Sequence, residues 1–136
     1  MTENLPNIPD TNRFSIKRRL KSFRYAFSGL RVLVREEHNA RIHLFATVCV
    51  IVMGVLFRIS CTEWVAVALA IGLVFGMEAV NSAVENICDF VCPELDARIK
   101  KIKDLAAAAV LLSAIAALAV GLFIFIPKIM LICHGA

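Results

Sequence analysis

The chain has 136 residues, 60% of them hydrophobic and 19% charged, with a mean hydropathy of +0.77 and a formal net charge of +4. That length holds one domain, and the hydrophobic share exceeds the roughly 45–50% of ordinary soluble domains. A disordered tail, a disulfide scaffold and an ordinary water-soluble enzyme are excluded; a membrane protein is the leading class, and the apolar runs read as an all-α one.

Residues 1–12 are polar, include Pro6 and Pro9, and read as a mobile tail, with 13–136 as one membrane domain. Between Arg13 and Arg35 stand eight basic residues and no acid. Leu20, Phe23, Phe27, Leu30 and Val34 recur every three or four positions. This stripe predicts an amphipathic helix over about 14–39, resting on the cytoplasmic membrane surface with its cations near lipid phosphates. Glu37 extends the stripe, whereas Glu36 is turned by about 100° toward solvent. Two readings of Glu37 stand: an i,i+4 ion pair with Arg41, or a carboxylate held for a metal or substrate.

A first span is expected over about 42–59; Leu44–Phe57 carries no charge, and Arg58 reaches the interface by snorkelling. The second, about 64–91, runs from Trp64 to just before Pro93 and exceeds the hydrocarbon thickness, so one end leaves it. Inside it Glu78, Asn81, Ser82, Glu85 and Asp89 stand at offsets 0, 3, 4, 7 and 11. At about 100° per residue they form one polar stripe. Three acids there face protein, a cation or a water-filled cleft, because lipid solvates them too poorly. Ala79, Ser82 and Ala83 are small enough to admit a neighbouring helix. Glu78 lies about 21 Å along the helix from Trp64, at lipid depth, and Glu85 lies nearer cytoplasmic water. Such a stripe can join a membrane-embedded substrate to a soluble one.

Lys100, Lys101, Lys103 and Asp104 stand at the mouth of the third span, about 104–126. Leu105–Ile126 is 22 residues without a charge, and Pro127 is expected to end it. Lysines beside acids suit a metal and a phosphate.

Lys and Arg number nine in residues 1–41, four in 86–104, and one each in 58–63 and 127–136. The bias places the N-terminus in the cytoplasm and the C-terminus outside, with three passes of the inner membrane between. No secretory signal pattern is visible. The basic N-terminus accompanies no nucleic-acid-binding fold, so no nucleic acid partner is expected. The five cysteines have no zinc spacing and read as packing residues, with a disulfide between Cys61 and Cys133 left open.

The run Glu78-Ala79-Val80-Asn81-Ser82-Ala83-Val84-Glu85, followed by Asp89, resembles the signature of the bacterial integral-membrane diacylglycerol kinase family. Lys103-Asp104-Leu105-Ala106-Ala107-Ala108-Ala109-Val110 is similar to its second hallmark. Glu37-His38-Asn39-Ala40-Arg41-Ile42-His43 resembles the branch that includes the undecaprenol kinases of Gram-positive bacteria. The likeness covers roughly Arg13–Pro127, and two motifs in the right order are far more specific than one.

The resemblance implies a lipid kinase: a homotrimer of three-span protomers, each with a surface helix, that transfers the γ-phosphate of ATP to undecaprenol or diacylglycerol with Mg²⁺. It makes Glu78 the catalytic base, Glu37 and Glu85 the metal carboxylates, and Lys103 and Asp104 the nucleotide pair. Glu37 and Glu85 also reach ATP through that metal, and Arg18, Tyr25 and Glu94 fall where further nucleotide contacts are expected. Asn81, Ser82, Asp89, Asn39 and Arg41 become substrate-side or supporting residues. Asp96 stands where the family often has His, and Ile102 where it usually has a small residue.

Two other classes compete. A small proton- or cation-coupled transporter also uses an intramembrane Glu, but here the acids gather toward the cytoplasmic end and the third span has none. A structural subunit would use the stripe only to seal helix contacts.

Overall fold

The computed structural model describes residues 16–134, with side chains from residue 20 onward. The expected tail over 1–12, the start of the surface helix and the side chain of Arg18 lie outside the described residues. Four helices follow in order: α1 (Ile16–Glu36), α2 (His38–Leu56), α3 (Cys61–Val91) and α4 (Ala97–His134). The last three are long and apolar enough to cross a membrane.

Each boundary has a local cause. α1 ends at Glu36, not near residue 39, because Glu37 takes extended backbone angles (φ −90°, ψ 121°) while its N–H still donates to the Leu33 carbonyl at 2.9 Å. Glu37 therefore does not continue the α1 stripe; it occupies the break before α2. The first span runs over His38–Leu56 rather than 42–59. It stops where Arg58 enters the left-handed region at φ 49°, which β-branched Ile59 next to it could not readily share. α3 starts at Cys61, three residues earlier than expected, because Ser60 and Glu63 form a capping box. The Ser60 N–H donates to Glu63 Oε2 at 2.6 Å, and the Glu63 N–H donates to Ser60 Oγ at 3.3 Å.

α4 departs most from expectation, spanning Ala97–His134 rather than 104–126. At its start the Arg98 N–H donates to Asp96 Oδ1 at 2.7 Å, and the Arg98 guanidinium reaches Oδ2 at 2.9 Å. That guanidinium holds the Asp96 carboxyl below the usual aspartate range. At the other end, Pro127 is accommodated inside the helix. A proline removes one N–H, but an apolar medium favours keeping the surrounding backbone bonds within the helix. Lys128, one residue on, pairs with Glu63 at 3.2 Å and ties this segment to α3.

α3 is the central rod. It packs most extensively on α4, meets α2 over a shorter stretch, and also touches α1. At the α2–α3 turn, Ile59, Val67, Ile124 and Phe125 form a buried apolar cluster. Phe57 meets Phe125 edge to face at 5.9 Å. Gly54 is required there: a Cβ would stand 2.8 Å from the Trp64 ring. α1 presents Leu20, Phe23, Phe27 and Leu30 to the exterior, and Leu33 is its buried contact. Ala79 and Ala83 are exposed, so they do not mediate helix packing within this chain. All five cysteines are free.

Candidate active site

From the middle of α3 toward its C-terminal end, the helices enclose polar groups instead of an apolar cluster. Glu78 is only 2% exposed and Asn81 7%. Both arise from the α3 stripe, which turns inward because lipid cannot solvate a carboxylate. Asn81 Nδ2 donates to Glu85 Oε1 at 2.9 Å, one helical turn further on. Ser82 Oγ donates to Glu37 Oε1 at 2.7 Å, which brings the α1–α2 break onto α3. From α2, His43 Nε2 approaches Glu78 Oε1 to 3.2 Å.

These groups border a cleft of about 290 Å³, lined by Asn39 and His43 from α2, Glu78, Asn81 and Glu85 from α3, and apolar α4 side chains from Ala107 to Ala114. Two buried side-chain oxygens lack a hydrogen-bond partner among the described residues: Glu78 Oε1 and Asn81 Oδ1. Buried polar atoms rarely stay unpaired in a finished core. Here both belong to residues that line one cleft.

A second, apolar groove of about 410 Å³ extends from His43 and Ala114 along α2, α3 and α4 to Ile129. His43 and Ala114 line both spaces. The polar cleft and the apolar groove therefore meet at these residues.

The expected site residues fall into three sets. Glu78, Asn81, Glu85 and Asn39 share the cleft, and Ser82 and Glu37 are bonded to each other beside it. Lys103 and Asp104 are engaged further along: Lys103 Nζ lies 2.5 Å from Asp89 Oδ1, and Lys100 Nζ lies 2.6 Å from Asp104 Oδ2. Arg41, Tyr25 and Glu94 are exposed and border neither space. Arg41 makes no ion pair with Glu37 among the described residues, because the helix break removes the i,i+4 geometry. Of the two readings of Glu37, the local ion pair is not formed among the described residues, and the Glu37 carboxylate is bonded to Ser82 instead.

His43 was given no role from sequence. The usable signal was its spacing from Asn39: four residues on a helix put both on one face, and both line the cleft.

The fold and site are those of a helical membrane protein with a buried carboxylate beside an apolar groove, and similarity to known proteins identifies which kind. Residues 24–125 match the family model described as prokaryotic diacylglycerol kinase, so the chain belongs to that family and is a lipid kinase. It is 35% identical over 118 residues to the undecaprenol kinase of Bacillus subtilis, covering 87% of this chain and 96% of that protein. A diacylglycerol kinase of Synechocystis is 38% identical over 112 residues, covering 82% of this chain and 64% of the relative. The diacylglycerol kinase of Helicobacter pylori is 33% identical over 100 residues, covering 73% and 77% respectively.

Proposed function

We propose that this lipid kinase transfers the γ-phosphoryl group of Mg-ATP to the hydroxyl of undecaprenol, at the cytoplasmic face of the inner membrane. The observation that carries the reading is the meeting of a polar, carboxylate-lined cleft with an apolar groove at His43 and Ala114. A lipid alcohol has an apolar chain and one reactive hydroxyl, and these adjoining spaces suit its two parts. The similarity to the undecaprenol kinase of Bacillus subtilis favours a polyprenol acceptor.

Glu78 acts as the base. It takes the hydroxyl proton, the freed oxygen forms a bond to the γ-phosphorus, and the bond from that phosphorus to the bridging oxygen breaks, releasing ADP. The proton then passes from Glu78 to water. Lys103, paired with Asp89, is the cation that meets phosphate in this reading once nucleotide competes for it. Asp104, Arg18, Tyr25 and Glu94 complete the nucleotide side, and Asn39, Arg41 and Asp89 are substrate-side or supporting residues.

Glu37 and Glu85 are the metal carboxylates of this reading. Each accepts a hydrogen bond from a neutral α3 side chain at one oxygen. Two such carboxylates suit Mg²⁺, which takes one or two from protein and completes its shell with phosphate oxygens and water. When bound, the ion would neutralise charge on the phosphates.

The positive N-terminal segment and the α3–α4 turn lie in the cytoplasm in this scheme, with the C-terminus outside. The exposed small side chains Ala79 and Ala83 leave room for another copy, and a homotrimer is the expected assembly.

The test offers undecaprenol and diacylglycerol together in one mixed micelle with labelled Mg-ATP. Undecaprenyl phosphate is expected as the main product. Preferential labelling of diacylglycerol would reassign the acceptor, as the names of the Synechocystis and Helicobacter relatives would suggest. Labelling of neither would reject the reading.

A further inference from the structure

His43 meets Glu78 where the two spaces join, and the geometry of that contact goes beyond the scheme above. Its Nε2 lies 3.2 Å from Glu78 Oε1; the His43 side chain is 22% exposed and that of Glu78 is 2% exposed. The approach is a close polar contact and not an aligned hydrogen bond, since Oε1 has no hydrogen-bond partner among the described residues. Sites without substrate often hold such contacts long or tilted and tighten them on binding.

Among the described residues, His43 is the cation-type side chain paired with Glu78. Two further carboxylates stand nearby: Glu85 from α3 lines the same cleft, and Glu37 from the α1–α2 break is bonded to Ser82 beside it. α4 contributes Ala107, Val110, Leu111 and Ala114 to the cleft and no charge. A glutamate side chain has three rotatable bonds, and repulsion from two neighbours would swing it away from them. Among the described residues, Nε2 is the donor that stands opposite its Oε1.

We propose that His43 is the positioning residue of Glu78: its Nε2–H holds Oε1 at the junction, which directs the second carboxylate oxygen to the acceptor hydroxyl arriving from the apolar groove. The inference rests on the lipid-kinase reading with Glu78 as base. No proton leaves His43 in this role; the hydroxyl proton still goes to Glu78.

The test compares His43→Gln with His43→Asn in the full chain, in mixed micelles with undecaprenol and Mg-ATP. A glutamine amide nitrogen reaches the position of Nε2, whereas an asparagine amide nitrogen stops near that of Nδ1. Small displacements of a catalytic group cost roughly 100-fold. The Asn variant is therefore expected to lose about that much kcat with its KM for Mg-ATP unchanged, and Gln to restore most of it. Thermal unfolding should be alike in both.

Equal activity of the two variants overturns the proposal, as does a loss confined to KM for Mg-ATP. Failure of the Asn variant to fold also overturns it, because the role is then structural. A wild-type chain inactive on every lipid alcohol rejects the underlying kinase scheme instead, so the two failures are told apart.

Discussion

At the α2–α3 turn, Ile59, Val67, Ile124 and Phe125 close on one another, and the polar groups nearby are paired by a capping box and by Lys128 with Glu63. Further along, the same three helices keep Glu78 and Asn81 buried, each with an oxygen that has no hydrogen-bond partner among the described residues. The first arrangement is what stability alone would select, since buried apolar contacts and satisfied caps both favour folding. The second is costly by itself, because a buried polar atom without a partner forfeits its hydration. Such a cost is retained where a bound molecule supplies the missing partner. On the proposed reading, the contrast separates the end that holds the helices together from the end that carries the chemistry.

The largest effect that could break this contrast is expected from Glu78→Gln. Turnover should fall by about 100-fold or more, while the thermal midpoint stays level or rises, since an amide is easier to bury than a carboxylate. Kinetics and unfolding measured on one preparation decide the matter; retained turnover would remove Glu78 from the chemistry.

Glu85→Gln comes next. It should raise the Mg²⁺ concentration needed for half-maximal rate by about tenfold, with little change in stability. A metal titration identical to wild type would reject Glu85 as a ligand.

The smallest effect on turnover belongs to the other end. Gly54→Val places a side chain against Trp64, where even a Cβ would stand 2.8 Å from the ring. Overpacking of this kind destabilises by about 1–3 kcal/mol, and turnover per folded molecule should remain near wild type. If Gly54→Val lowers turnover as much as Glu78→Gln at equal folded fraction, the two ends are not separable.

The legible part of the site was the part carried by one helix. The spacing of Glu78, Asn81 and Glu85 places them on a single face without any knowledge of neighbours, and all three line the cleft. The capping pair Ser60 and Glu63 was equally open to reading, because both partners lie within one turn. Contacts between elements were not legible in the same way. Ser82 with Glu37 spans 45 positions, and Lys103 with Asp89 spans 14. Periodicity even misplaced Glu37, which a continuous helix would have carried along the α1 stripe but which the break turns toward α3.

Local sequence, then, determined the number of spans, the polar rod within the second, and the family, since each depends on residue types at short, regular separations. Tertiary structure alone decided that His43 stands against Glu78, that Lys103 is engaged by Asp89, and that the apolar groove meets the polar cleft. Those facts depend on how helices are rotated and shifted against one another. Rotation and shift come from the summed packing of many side chains, which no single helical repeat encodes.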